Sequence, residues 1–121
     1  MNIEYEIIKL KNENIDITAI VNEPGGEMLS AFLYSDVRVF GDLIKQDLED
    51  VLHKRKKYSD ISCNACRLRI TENETTIYNL YAEDEEEYYN TRFRIETAEL
   101  KQVIDKWINV IKEIKPAPKK L

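Results

Sequence analysis

Hydrophobic and polar positions interleave in two stretches near the start of the chain, residues 3 to 10 and 15 to 21. In the second, Ile15, Ile17, Ala19 and Val21 alternate with Asp16 and Thr18, the period of a half-buried strand. "KNEN" between the two stretches and "NEPGG" at 22 to 26 read as turns. A third apolar segment, "MLSAFLYS", follows. From Asp36 the period lengthens. Phe40, Leu43, Ile44, Leu48, Val51 and Leu52 recur at three-and-four spacing, which predicts an amphipathic helix over 36 to 56 with Ser35 or Asp36 as N-cap. Gly41 weakens its first turn, at a cost of about 1 kcal/mol relative to alanine.

Beyond "HKRKKY" the alternation returns. Cys66, Leu68 and Ile70 share one face of a strand, and a second strand carries Ile77, Asn79 and Tyr81 on one face or the other. In a third, Tyr89, Thr91, Phe93 and Ile95 fall on one side. "TENET" and the acidic run at 83 to 87 are the expected turns between them. A last helix is predicted over 97 to 115, with Thr97 as N-cap, Glu99 in its first turn, and an apolar stripe of Leu100, Val103, Ile104, Trp107, Ile108, Ile111 and Ile114. The order of elements predicts an α+β fold: a mainly antiparallel sheet of five to six strands with two helices packed on one face. Trp107 and Phe93 belong to the expected core.

Length and composition narrow this picture. The 121 residues suit one α+β domain spanning 1 to 115, followed by a flexible basic tail at 116 to 121. The formal charge is −5, and −8 once Lys115, Lys119 and Lys120 near the C-terminus are set aside. Such a field attracts basic partners and repels phosphate backbones, so direct binding of nucleic acid is disfavoured. Glu4, Glu6 and Lys9 interrupt the N-terminal apolar stretch, and no apolar run reaches membrane-spanning length. The expectation is a cytoplasmic protein without a membrane partner, its two cysteines reduced.

Candidate chemistry is sparse. The Cys63 and Cys66 pair in "CNAC" has metal-ligand spacing, but the chain holds no second pair and one histidine only, too few thiol and imidazole groups for a closed zinc site. After Cys66 the sequence continues in strand alternation, not as the helix of a redox motif, and three residues apart on a strand the two sulfurs would point to opposite faces. They read as ordinary buried cysteines. His53 stands among Lys54, Arg55, Lys56 and Lys57, a cationic last turn that complements the helix dipole. No nucleophile, base and orienting group assemble, and three glycines leave no phosphate-cradling loop. Neither a cofactor nor catalysis is expected.

Two features point to binding. Arg67 and Arg69 alternate with Leu68 and Ile70, and Arg92 and Arg94 with Phe93 and Ile95, with Tyr78 or Tyr81 between them. This is a solvated strand face, a partner surface or a stacking platform for single-stranded RNA. The second is "YAEDEEEYYN", where Glu83, Asp84, Glu85, Glu86 and Glu87 run directly into Tyr88 and Tyr89. A loop tip gathers charge simply because it is solvated. Clustered carboxylates beside two amphipathic aromatics also suit a site that engages a cationic surface: charge steers the encounter, and tyrosine supplies contact area at little entropic cost. Consecutive acidic residues do not match the spaced ligands of a calcium loop.

From about residue 27 to 114 the order of elements resembles the small cytosolic immunity proteins of bacterial contact-dependent inhibition and related polymorphic toxin systems. The stretches that carry the likeness are "DVRVFGDLIKQDLEDVL", "CRLRITENETTIYNLY" and "RFRIETAELKQVIDKWINVI" with its single tryptophan. The resemblance implies an inhibitor that binds a cognate toxin protein and occludes its active site, often that of a nuclease; it transfers no binding residue position by position. Two rival classes are a secretion-chaperone-like adaptor, which resembles a helix-first pattern and uses an apolar groove, and an RNA-binding module on the arginine face. Oligomeric state is not readable from the sequence.

Overall fold

The computed structural model describes residues 1 to 114. The basic tail expected at 116 to 121 and the side chain of Ile114 lie outside the described residues. The chain forms β1 (Ile3–Lys9), β2 (Ile15–Val21), α1 (Gly26–Ala31), a π-helical stretch Phe32–Val37, α2 (Arg38–Leu52), β3 (Tyr58–Ser62), β4 (Cys66–Thr71), β5 (Glu74–Asn79), α3 (Glu85–Asn90), β6 (Phe93–Glu96) and α4 (Thr97–Ile114). The fold is α+β, as the patterning predicts. Its six strands all pair antiparallel, but they divide into two sheets: the hairpin β1-β2 and a sheet in the order β3-β4-β5-β6.

The inner face of the larger sheet is apolar. Ile61, Cys66, Leu68, Ile70, Ile77, Phe93 and Ile95 are buried there, and α4 covers them with Leu100, Ile104 and Trp107. Both α1 and α4 also touch β2, so the helical layer joins the two sheets around one core. Trp107 is fully buried, with Tyr5 of β1 stacked on it at 6.1 Å and the Arg38 guanidinium 5.5 Å from its ring centre. Trp107 and Phe93 thus share the core, as expected.

Several boundaries differ from the sequence expectation. "MLSAFLYS" is not a separate segment: the chain is helical from Gly26 to Leu52. Leu29, Phe32, Leu33, Asp36 and Val37 are all buried, a stripe at three-and-four spacing that faces the core, while Glu27 and Ala31 on the other side are exposed. Gly26 makes this entry possible, because a Cβ there would collide with the carbonyl and side chain of Val21. Neither Ser35 nor Asp36 caps a helix start, since both lie within the helical run. The irregularity of α2 sits at Phe40 (φ −111°, ψ 16°), one residue before Gly41. α2 stops at Leu52, short of 56, where Lys54 turns left-handed with φ 61°.

The remaining corrections concern the second half. A strand, β3, precedes the three that were expected. The third expected strand is shorter: Tyr89 belongs to α3 and Thr91 follows it, so neither shares a strand face with Phe93 and Ile95. The acidic run is not a bare turn but the start of α3. Thr97 opens α4, and its buried hydroxyl donates to the Thr71 carbonyl at 2.6 Å and lies 2.9 Å from the Thr75 hydroxyl, tying the helix start to β4 and β5.

Candidate functional site

The outer face of the larger sheet carries the polar half of each strand's alternation. Register aligns Ser62, Arg67 and Tyr78 in one cross-strand row; Asp60, Arg69, Thr76 and Arg94 in the next; and Tyr58, Thr71, Glu74 and Glu96 in the last. Tyr78, not Tyr81, therefore stands beside the arginines. Tyr81 lies past the end of β5 and is 73% exposed.

Asp60 organises the arginine side. It accepts from Arg67 Nη2 at 2.8 Å and from Arg69 Nη1 at 3.1 Å, so one carboxylate on β3 bridges two guanidinium groups on β4. Arg69 also lies 5.1 Å from the centre of the Tyr58 ring. Arg94 approaches Glu74 only at 4.0 Å and stays more than half exposed. Two of the four arginines are thus already paired, which weakens the face as a phosphate-binding platform. Asp60 and Tyr58 were not singled out from the sequence. The signal was present in "YSDIS", where Ser59 and Ile61 face inward between three outward residues, but a single large apolar residue made it faint.

The seven acidic and aromatic residues of the second feature lie beside this same face. Asp84 is the N-cap of α3: its carboxylate accepts from the Glu87 N–H at 2.8 Å, while the Glu87 carboxylate reaches back to the Glu83 N–H. This is the reciprocal arrangement of a capping box, shifted by one residue on the return bond. Asp84 and Glu87 are therefore spent on forming the helix. Glu83, Glu85 and Glu86 are exposed and make no ion pair with a described residue.

The two tyrosines play different parts. Tyr88 is half-buried, lying flat on Tyr78 with ring centres 4.7 Å apart and planes 6° from parallel, and its hydroxyl accepts from Arg67 Nη1 at 3.0 Å. Tyr89 stands edge-on to both Tyr78 and Tyr88, at 6.3 and 5.2 Å, and remains 52% exposed. The Arg92 guanidinium donates to the Tyr89 carbonyl at 2.6 Å. The acidic helix and the arginine face, two separate candidates in the sequence, form one continuous surface. Exposed Tyr58, beside Arg69, and exposed Tyr89 both belong to it.

"CNAC" serves the fold instead. The two cysteines flank the turn between β3 and β4, where Cys63 N–H donates to the Cys66 carbonyl at 2.9 Å. Because Cys63 sits in this turn and not on a strand, the sulfurs do not point to opposite faces: Cys66 is buried and Cys63 packs partly against the same core. Burial, aided by the nearby Asp36 charge, pushes the Cys63 thiol up to about 11 and that of Cys66 to about 12. Neither is a ready nucleophile or metal ligand at neutral pH. Asp36 is fully buried and its carboxylate accepts from the N–H groups of Asn64, Ala65 and Cys66 at 2.9 to 3.1 Å.

His53 is exposed at the end of α2, in a basic turn whose charges meet local acids: Arg55 with Asp50 at 2.8 Å and Lys56 with Asp47 at 3.1 Å. Among the described residues no group of three or more His, Cys, Asp or Glu side chains could hold a metal ion, and no helix is long and apolar enough to cross a membrane. A groove of about 580 Å³ runs along Val37 to Leu43 against Ile108, Ile111 and Lys112, on the helical side of the molecule.

No protein-family model matches the chain, and no solved structure matches it. An immunity protein from Bacillus cereus is 32% identical over 94 residues, a stretch that covers 78% of this chain and 78% of that protein.

Proposed function

The chain belongs to the immunity-protein family, and from that membership we propose that it neutralises its cognate toxin by docking α3 and the outer face of the β3-β6 sheet over the toxin's active site. It does so as an inhibitor and not as an enzyme. The toxin it fits is a basic one, a nuclease domain of a contact-dependent inhibition or related polymorphic toxin system, met in the cytoplasm.

The observation that carries the reading is the exposed acidic edge of α3. Glu83, Glu85 and Glu86 stand free of ion pairs with described residues, next to exposed Tyr81 and Tyr89, on a chain of net charge −5. A nucleic-acid-cleaving cleft is positively charged, so these carboxylates accelerate its approach, and the tyrosines become anchors once water is excluded. Tyr88 is committed to Tyr78 and Arg67, so its part is to shape the surface.

The test is binding kinetics at several ionic strengths against the cognate toxin domain. Replacing Glu83, Glu85 and Glu86 together with glutamine should slow association and flatten its salt dependence; Tyr89→Ala should mainly speed dissociation. The same variants should lose protection in cells that express the toxin domain. Binding and protection equal to the parent in every variant would move the interface away from α3.

A further inference from the structure

We infer that Arg67 is the positioning residue of this surface: it fixes α3 on the sheet before any partner arrives, so that the acidic edge is presented in one pose. The inference rests on the reading above that α3 belongs to the toxin-binding surface.

α3 has six residues and none of them is buried. A helix that short is not stable on its own, and no apolar stripe anchors it. What holds it is the Tyr88 ring lying parallel on Tyr78. A parallel stack fixes the separation of two rings but resists sliding weakly, because displaced stacks are close in energy. A directional bond is needed to set the position along the sheet.

Arg67 supplies that bond. Its guanidinium donates from Nη1 to the Tyr88 hydroxyl at 3.0 Å and from Nη2 to Asp60 at 2.8 Å, and it lies 5.5 Å from the centre of the Tyr78 ring. One planar group thereby joins β3, β5 and α3 from its place on β4. Lysine cannot reproduce this, having a single nitrogen in place of a rigid fork. Arg69 shares Asp60 but turns to Tyr58, away from α3. The Arg92 bond to the Tyr89 carbonyl spans three residues and closes the end of α3 onto the residue before β6; it reaches no side chain of the sheet face under Tyr88.

The experiment has two arms. In the free protein, amide exchange is followed at Tyr88 and Thr91, whose N–H groups close α3 onto the carbonyls of Asp84 and Glu87. Arg67→Met should speed exchange there by about ten-fold while amides of α4 and β4 keep the parent's protection, and Arg67→Lys should not restore it. In the second arm the cognate toxin domain is titrated with Arg67→Met, Tyr88→Phe and the double variant. Each single change should weaken binding by about ten-fold, and the double variant should be no weaker than the worse single one, since both break the same bond. Parent-like exchange in Arg67→Met overturns the inference, as does unchanged affinity. Additive losses also overturn it, because they mean that Arg67 touches the toxin directly. If the glutamine variant of Glu83, Glu85 and Glu86 binds like the parent, the interface reading fails by itself, while the exchange arm still decides whether Arg67 holds α3.

Discussion

Asp36 illustrates how a charged residue can serve the fold alone. It is fully buried within the helical run, yet three backbone N–H groups of the turn between β3 and β4 converge on its carboxylate. Asp36→Ala would leave those donors without their acceptor, and an unfolding free energy lower by about 3 kcal/mol is expected from urea denaturation. Asp36→Asn should fall between, since an amide offers one accepting oxygen in place of two. Asp16 on β2 works differently. The Tyr34 hydroxyl donates to it at 2.7 Å, the Ile17 N–H at 2.8 Å, and Arg38 pairs with it at 2.7 Å, which together hold its carboxyl below the ordinary aspartate value. A lowered folded-state value means that the unfolded chain binds the proton more readily. The stabilisation is therefore complete above the unfolded value, about 3.9, and is lost as the pH falls through the lower folded one. Thermal melts of the parent and Asp16→Asn should differ at pH 7 and converge as the pH drops below about 4. A gap that persists in acid would remove the charge from the explanation.

At the scale of elements, α3 shows how much local chemistry a six-residue helix needs. Asp84→Ala removes the N-cap and should cost the helix about 1 kcal/mol, read as faster exchange at Tyr88 and Thr91. Asp84→Asn keeps a good cap and should leave exchange near the parent's. This helix was legible in principle: Asp84 followed three residues later by Glu87 is a capping signature, but the surrounding run of carboxylates masks it as mere charge. β2, the latter part of α2 and α4 were read from pattern, because each has one buried and one solvated side, and β1 from its interleaved isoleucines although none of its residues is fully buried. α1 and the π-helical stretch were not. Leu29, Phe32, Leu33 and Val37 do recur at three-and-four spacing, but the stripe is interrupted by Asp36, a buried carboxylate that reads in sequence as a helix cap, so the period is taken to begin only after it. The candidate surface was read as two pieces for a related reason. Register and the stacking of Tyr88 on Tyr78 unite them, and neither is encoded in spacing along the chain.

The whole molecule leaves few places for a protein partner. Stable complexes bury about 800 Å² on each side, more than a six-residue helix offers, so an interface centred on α3 has to extend over the neighbouring sheet face. Beyond α3 that face is open, because α1, α2 and α4 pack on the other side, and it is amphipathic, with exposed Tyr58 and Tyr89 among charged residues. Its rival is the apolar groove beside Val39 and Leu43, the kind of site a chaperone-like adaptor would use, which lies between α2 and α4. The two readings predict different footprints. Amides of β4 and β5 are already bonded within the sheet, so the informative positions are α3, residues 80 to 84 and the outer edge of β3. In complex with the toxin domain these should gain protection from exchange, and Leu43→Lys on the groove should leave affinity within about two-fold, as a surface change outside an interface does. Protection that gathers instead along residues 37 to 43 and 108 to 112, with binding abolished by Leu43→Lys, would transfer the interface to the helical side and leave the acidic edge of α3 as a solvated helix start.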